Sequence, residues 1–240
     1  MADRALPHRR PILVPFTRAV FLLGALAGCD ALPPVQMPGR AVVPSEISAG
    51  PDAYTLARAA VADGNFSAAL SHYVRVLEEY PRGQDGAEVR LEFANVLLYA
   101  EMPERALEVA ALVPELTRDR ELRGRAAILM AIAEHSKVET YLASAPPYEQ
   151  GRDRARAVYL AMVETYETHG RYDAEGIIPA RLGVLREGLA NLEIRKMKSE
   201  RAAGEAATAS QRAQYIQLEF GDTQTVRENA QLLQAVALRS

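Results

Sequence analysis

The stretch 53–81 carries an apolar stripe with a helical period on each side of a short polar break. The first stripe consists of Leu56, Ala57, Ala60 and Val61, and the second of Phe66, Ala69, Leu70, Tyr73, Val76 and Leu77. Residues at these spacings share one face of an α-helix. Asp52 and Asn65 can cap the two helices, and Gly64 suits a left-handed position between them. The pattern predicts two helices packed face to face, with Pro81 ending the second.

Small side chains on these stripes, Ala57 and Ala69, would let the two helix backbones approach closely. In this arrangement the stretch resembles a tetratricopeptide repeat. The matching positions are Leu56 and Ala57 in the first helix, Gly64 and Phe66 at the turn, Ala69 and Tyr73 in the second helix, and Pro81 at the end. The departures are Ala53, where an aromatic residue is usual, and Ala60, where a large one is usual.

The resemblance implies an all-α fold, an αα-hairpin superhelix of tetratricopeptide-like repeats with longer C-terminal helices. Stacks of such repeats present a groove that receives a peptide or a helix of a partner protein. It implies that partner-binding residues lie on the groove-facing side of the first helix, around Tyr54, Arg58 and Val61.

Further helices are predicted at 87–100, 104–113, 118–142 and 148–169, after a loop at 83–86. Ala106 follows Ala69 by 37 residues, which indicates a second, degenerate repeat without a turn glycine. The run Gly170-Arg171-Tyr172-Asp173 is similar to the turn at 64–66 and suggests a third repeat.

The segment 179–218 is predicted as one long helix whose leucines alternate by three and four residues: Leu182, Leu185, Leu189 and Leu192. It either caps the last repeat, which we favour, or projects as a coiled-coil arm. The projecting arm would make the protein a self-associating spacer of the cell envelope. Gly221-Asp222-Thr223 begins a last helix.

The N-terminus has a basic region at 1–18 followed by an apolar run at 19–28, which is too short to span a bilayer. The run ends in Leu26-Ala27-Gly28-Cys29 and resembles the lipobox of bacterial lipoproteins. The resemblance implies cleavage before Cys29 and lipidation of that cysteine. The expected organisation is a signal peptide at 1–28, a lipidated Pro-rich tether at 29–51, repeats at 52–178 and a capping segment at 179–240.

A lipid anchor beside a repeat stack resembles two bacterial families. One is the lipoprotein subunit of the outer-membrane β-barrel assembly machine, and the other is the lipoprotein of the Tad (Flp) pilus apparatus. The implied address is the cell envelope, facing the periplasm. The outer membrane is slightly favoured as the location, and the inner membrane is the alternative because Asp30 follows the cysteine.

Composition and motifs give no indication of an enzyme or of a nucleic-acid-binding protein. The net charge of −3 does not suggest nucleic acid as a partner. The single cysteine excludes a disulfide within the chain, and the four histidines have no metal-ligand spacing. No nucleophile, phosphate-loop or dinucleotide motif is present. We therefore expect no catalytic residue, metal, cofactor or small-molecule substrate. The sequence predicts a non-enzymatic adaptor that binds protein partners of the cell envelope. An enzyme-associated or solute-binding lipoprotein is a further alternative, against which the lack of a polar constellation argues.

Overall fold

The computed structural model describes residues 52–238, in which every regular element is helical. The α-helices are α1 (Ala53–Ala62), α2 (Phe66–Glu79), α3 (Gly83–Tyr99), α4 (Pro103–Ala111), α5 (Val113–Leu116), α6 (Arg120–Ala143), α7 (Tyr148–His169), α8 (Ile177–Ala202), α9 (Ala206–Phe220), α10 (Gln224–Glu228) and α11 (Ala230–Ala237). A 3₁₀ turn, Gly170–Tyr172, follows α7. The predicted all-α class is confirmed for this part of the chain.

Neighbouring helices pair as α1–α2, α3–α4, α6–α7 and α8–α9. Each pair turns at one residue with a positive φ angle: Gly64 (70°), Glu101 (57°), Ala145 (51°) and Gly204 (81°). A left-handed residue after the last helical turn reverses the chain and lets its N–H groups reach free carbonyls of that turn. The same backbone device therefore serves in all four places, although glycine occupies only two of them.

The first pair has the predicted caps and contact. The Asp52 carboxylate accepts a hydrogen bond from the Thr55 N–H at 2.6 Å, and the Asn65 side chain accepts one from the Ala68 N–H at 3.1 Å. The small residues Ala57 and Ala69 are fully buried. Helix α2 ends at Glu79, just before Pro81, as expected.

Two predicted turns are wrong in detail. The loop expected at 83–86 is the first turn of α3. Its glycine at 86 serves a close contact instead of a loop, since a Cβ there would lie 2.7 Å from the Tyr80 carbonyl oxygen. Gly170 has φ −55° and begins the 3₁₀ turn, so it does not repeat the geometry of Gly64. Instead, the Asp173 carboxylate accepts hydrogen bonds from the first N–H groups of α8.

The single long helix predicted for 179–218 is also wrong. The chain reverses at Gly204, and α9 packs back along α8. The leucines of the predicted seam turn inward: Leu185, Leu189 and Leu192 are buried, and Leu182 is partly buried. The projecting arm behind the self-association alternative is therefore not formed, since its apolar side chains already pack within the chain.

The described buried apolar side chains form three clusters, two around α1–α6 and a larger one that runs from Ile128 to Val236. The boundary drawn between 178 and 179 falls inside α8 and inside the large cluster. The last helices of the expected repeat segment therefore share the large cluster with the expected capping segment. The signal peptide, Cys29 and the tether lie outside the described residues. Within 52–238, no helix is long and apolar enough to cross a membrane.

Candidate functional site

The three residues predicted to bind a partner have different environments. Tyr54 is only 6% exposed and belongs to the core of the first helices. Arg58 is exposed, with its Cζ 5.7 Å from the centroid of the Tyr54 ring. Val61 is half-buried against the same core. The interpretation of Tyr54 as a groove residue is wrong, because it lies three residues before the buried Ala57 and so shares its inward face.

The Tyr54 hydroxyl is already occupied by an internal partner. It donates a hydrogen bond to Glu92 Oε1 at 2.7 Å, and the Tyr73 hydroxyl donates to Glu92 Oε2 at 2.8 Å. The rings of Tyr54 and Tyr73 meet edge to face at 6.5 Å. Burial, and then the Glu92 carboxylate, raises the pKa of both phenols well above the ordinary value. These two hydrogen bonds join α1 and α2 to α3.

An apolar groove opens between α6 and α7, with a volume of about 410 Å³. Its lining consists of Ala127, Met130, Ala131, Glu134, Ala157, Val158, Ala161, Met162 and Thr165. The positions recur at three and four residues on each helix, so each helix contributes one face. Ala157 and Ala161 are exposed, and the one carboxylate, Glu134, pairs with Lys137 at 3.0 Å. The groove can therefore receive apolar side chains without desolvating an unpaired charge.

A buried polar cluster connects α7, α8 and α9. Glu193 and Glu200 in α8 are 3% and 4% exposed. Arg212 binds Glu200 through two nitrogens at 2.7 and 2.8 Å, and its third nitrogen lies 2.6 Å from Glu193. The Tyr148 hydroxyl donates to Glu193 at 2.7 Å and accepts from Arg212 at 2.7 Å. Two buried carboxylates are thus held by one guanidinium.

The electrostatics of this cluster follow from its contacts. The bidentate hydrogen bonds to Glu200 raise the pKa of Arg212, so its charge is fixed. Burial and the hydrogen bond to Glu193 raise the pKa of Tyr148 to about 12. The sequence interpretation missed this cluster. Its signal was the spacing of Leu189, Glu193 and Met197, which places a carboxylate on the apolar face of α8, where it requires a partner.

Neither polar cluster forms a metal site: among the described residues, no group of three histidine, cysteine, aspartate or glutamate side chains could hold a metal ion. No family model matches the chain. No curated protein matches it at a significant level.

Proposed function

We propose that this protein is a membrane-anchored, non-enzymatic adaptor that binds a protein partner through its helical hairpins. The observation that carries the proposal is the apolar groove between α6 and α7. A partner helix with apolar side chains every three to four residues would bury them against the alanines and methionines of the groove. Small side chains on both walls would allow the partner backbone to approach closely.

We interpret α1–α4 as two tetratricopeptide-like repeats. Three pairs of positions 37 residues apart support this: Ala57 with Ala94, Ala69 with Ala106, and Gly64 with Glu101. The four alanines are fully or almost fully buried, and Gly64 and Glu101 both have a positive φ. The later pairs α6–α7 and α8–α9 would continue the stack. With Tyr54 in the core, Arg58 and Val61 remain secondary candidates, and the proposed contact moves to α6–α7.

Charge insertion into the groove tests the adaptor proposal. Ala161→Arg places a long cation on an exposed groove position, and Ala207→Arg places the same side chain on exposed α9 as the control. We expect a chemical cross-link to one envelope protein in wild type and in the control, and its loss in Ala161→Arg with unchanged circular dichroism. A partner captured equally by all three proteins would refute the groove as the contact.

The anchor is a separate part of the proposal. We propose lipidation at Cys29, which would place the protein in the cell envelope, facing the periplasm, as part of an assembly machine of the β-barrel or pilus type. The Leu26-Ala27-Gly28-Cys29 motif supports it. Cys29→Ser should leave unprocessed precursor and abolish metabolic palmitate labelling. Label that persists in this variant would contradict the lipobox interpretation.

A further inference from the structure

A second cavity lies where α7, α8 and α9 meet, with a volume of about 90 Å³. Its polar lining comes from all three helices: Arg152, Arg156 and Tyr159 from α7, Arg186 and Glu193 from α8, and Tyr215 and Glu219 from α9. A cavity needs about 10–15 Å³ of such space to hold one water. This cavity is several times larger and can therefore hold a small organic ion.

The apolar part of this cleft is braced by contacts within the chain. The rings of Tyr215 and Phe220 meet edge to face at 6.0 Å, and Arg186 Cζ lies 5.6 Å from the Phe220 ring centroid. Arg186 is fixed by hydrogen bonds to the Glu219 carbonyl at 2.8 Å and to Asp222 Oδ1 at 2.5 Å. Contacts between α8 and the end of α9 thus hold these walls together.

Most charges around the cleft already have partners. Arg186 pairs with Asp222, Arg152 with Asp153, and Glu193 with Arg212. Two side chains in the lining differ: neither the Arg156 guanidinium nor the Glu219 carboxylate makes a hydrogen bond or ion pair within the described chain. Both charges act on the Tyr215 phenol. Burial, and then the carboxylates of Glu193 and Glu219, raise the pKa of Tyr215, whereas Arg156 and Arg152 act to lower it.

We propose that this cleft binds a small zwitterion of the α-amino acid class. The ligand carboxylate would accept hydrogen bonds from Arg156, whose planar fork suits that group. The ligand ammonium would pair with Glu219. A short apolar side chain would lie against Phe220 and Tyr215. A ligand with only one charge leaves either the cation or the anion of the cleft without a partner, which gives the site its selectivity. The inference does not depend on the adaptor proposal.

Calorimetric titration of the purified full chain with L-valine tests the assignment. We expect saturable binding with a Kd between about 10 µM and 1 mM, as befits a small ligand. N-acetyl-L-valine lacks the ammonium and L-valine methyl ester lacks the carboxylate, so each should bind at least about tenfold more weakly. Equal binding of all three compounds would overturn the zwitterion assignment, as would no binding of L-valine up to about 10 mM.

Matched variants locate the site. Arg156→Gln and Glu219→Gln each remove one of the two charges that have no ion-pair partner within the described chain. Both positions are exposed, so both proteins should fold normally. Each should weaken L-valine binding by at least about tenfold. Arg195→Gln and Glu164→Gln make the same changes on exposed positions outside the cleft lining and should bind as wild type. Binding that survives both cleft variants would place the ligand elsewhere and refute the proposal.

Discussion

Each half of the described chain builds a polar cluster around a glutamate, and the two clusters are satisfied differently. In the N-terminal half, Glu92 is half-buried and accepts hydrogen bonds from two phenols, Tyr54 and Tyr73. In the C-terminal half, Glu193 is buried and accepts from both a phenol and the guanidinium of Arg212. Neutral hydroxyl donors thus satisfy Glu92, which water still reaches, whereas a cation also pairs with Glu193, which water does not reach.

The C-terminal cluster carries a second buried carboxylate, Glu200, so its charges do not cancel. One cation faces two anions, and all three of its nitrogens donate to them. Losing the cation would leave Glu200 buried without a partner and Glu193 with only the Tyr148 hydroxyl, whereas losing a phenol of the N-terminal cluster leaves only part of a half-exposed group unpaired. The comparison therefore predicts that single substitutions are far more damaging in the C-terminal cluster.

Arg212→Met gives the largest expected effect. It removes the guanidinium but keeps most of the side-chain volume, so the free energy of unfolding should fall by about 3–5 kcal/mol. Urea unfolding followed by circular dichroism measures this value. The control Arg195→Met, at an exposed position of the same helix as the two carboxylates, should change it by less than about 0.5 kcal/mol. Adding Glu193→Gln and Glu200→Gln to Arg212→Met should restore much of the loss.

An Arg212→Met protein as stable as the control would show that water compensates the two carboxylates. The contrast between the two clusters would then not hold.

Glu92→Leu is the matching test in the N-terminal half, with a smaller expected loss of about 1–3 kcal/mol. It leaves the hydroxyls of Tyr54 and Tyr73 without their acceptor, although both rings keep their packing. Adding Tyr54→Phe and Tyr73→Phe should recover most of the loss, because the unpaired polar atoms are removed together. The same urea unfolding measures all the variants, and a triple variant less stable than Glu92→Leu would contradict this account.

The ends of the first helices and the first hairpin could be predicted from the sequence, because neighbouring residues determine them. Asp52 and Asn65 cap their helices through neighbouring N–H groups, and Gly64 needs no partner from elsewhere. Gly86 and Gly170 were misleading for the opposite reason. Glycine serves flexible turns and close contacts alike, and only the packing around it distinguishes the two.

The reversal at Gly204 and the polar cluster beneath it were not predicted. A charged, alanine-rich stretch suits a long helix, and one glycine within it weakens a helix without always ending it. Arg212 lies 12 residues from Glu200 and meets it only because the chain turns back. Likewise, the α6–α7 groove and the arginine-lined cleft need helices whose pairing the sequence pattern did not specify.

Alkaline pH should distinguish the clusters through Tyr148. Its pKa is about 12 in the folded protein, against about 10 in the unfolded chain. The folded state then holds a proton that the unfolded state releases, so stability is unaffected below about pH 10 and falls as pH rises through about 12. Because Tyr148 is partly exposed, we expect a loss of only about 1 kcal/mol.

Urea unfolding between about pH 9 and 12 measures this loss, and Tyr148→Phe should flatten the curve. Tyr54 and Tyr73, whose pKa values burial also raises, should leave a residual slope. An identical curve for Tyr148→Phe and wild type would show that Tyr148 does not contribute to the slope.

The smallest expected effect compares the turns of the two halves. Glu101 adopts φ 57° at the α3–α4 turn, where the α8–α9 turn has Gly204 at φ 81°. A side chain in this region costs about 1–2 kcal/mol, which exceeds the roughly 0.5–1 kcal/mol of extra chain entropy that glycine brings. Glu101→Gly should therefore raise the free energy of unfolding by about 0.5–1 kcal/mol, and Gly204→Ala should lower it by about 1 kcal/mol. Glu104→Gly, one turn further in helical α4, should be destabilising. If Glu101→Gly and Glu104→Gly changed stability in the same direction, the left-handed turn at Glu101 would not be the strained equivalent of the one at Gly204.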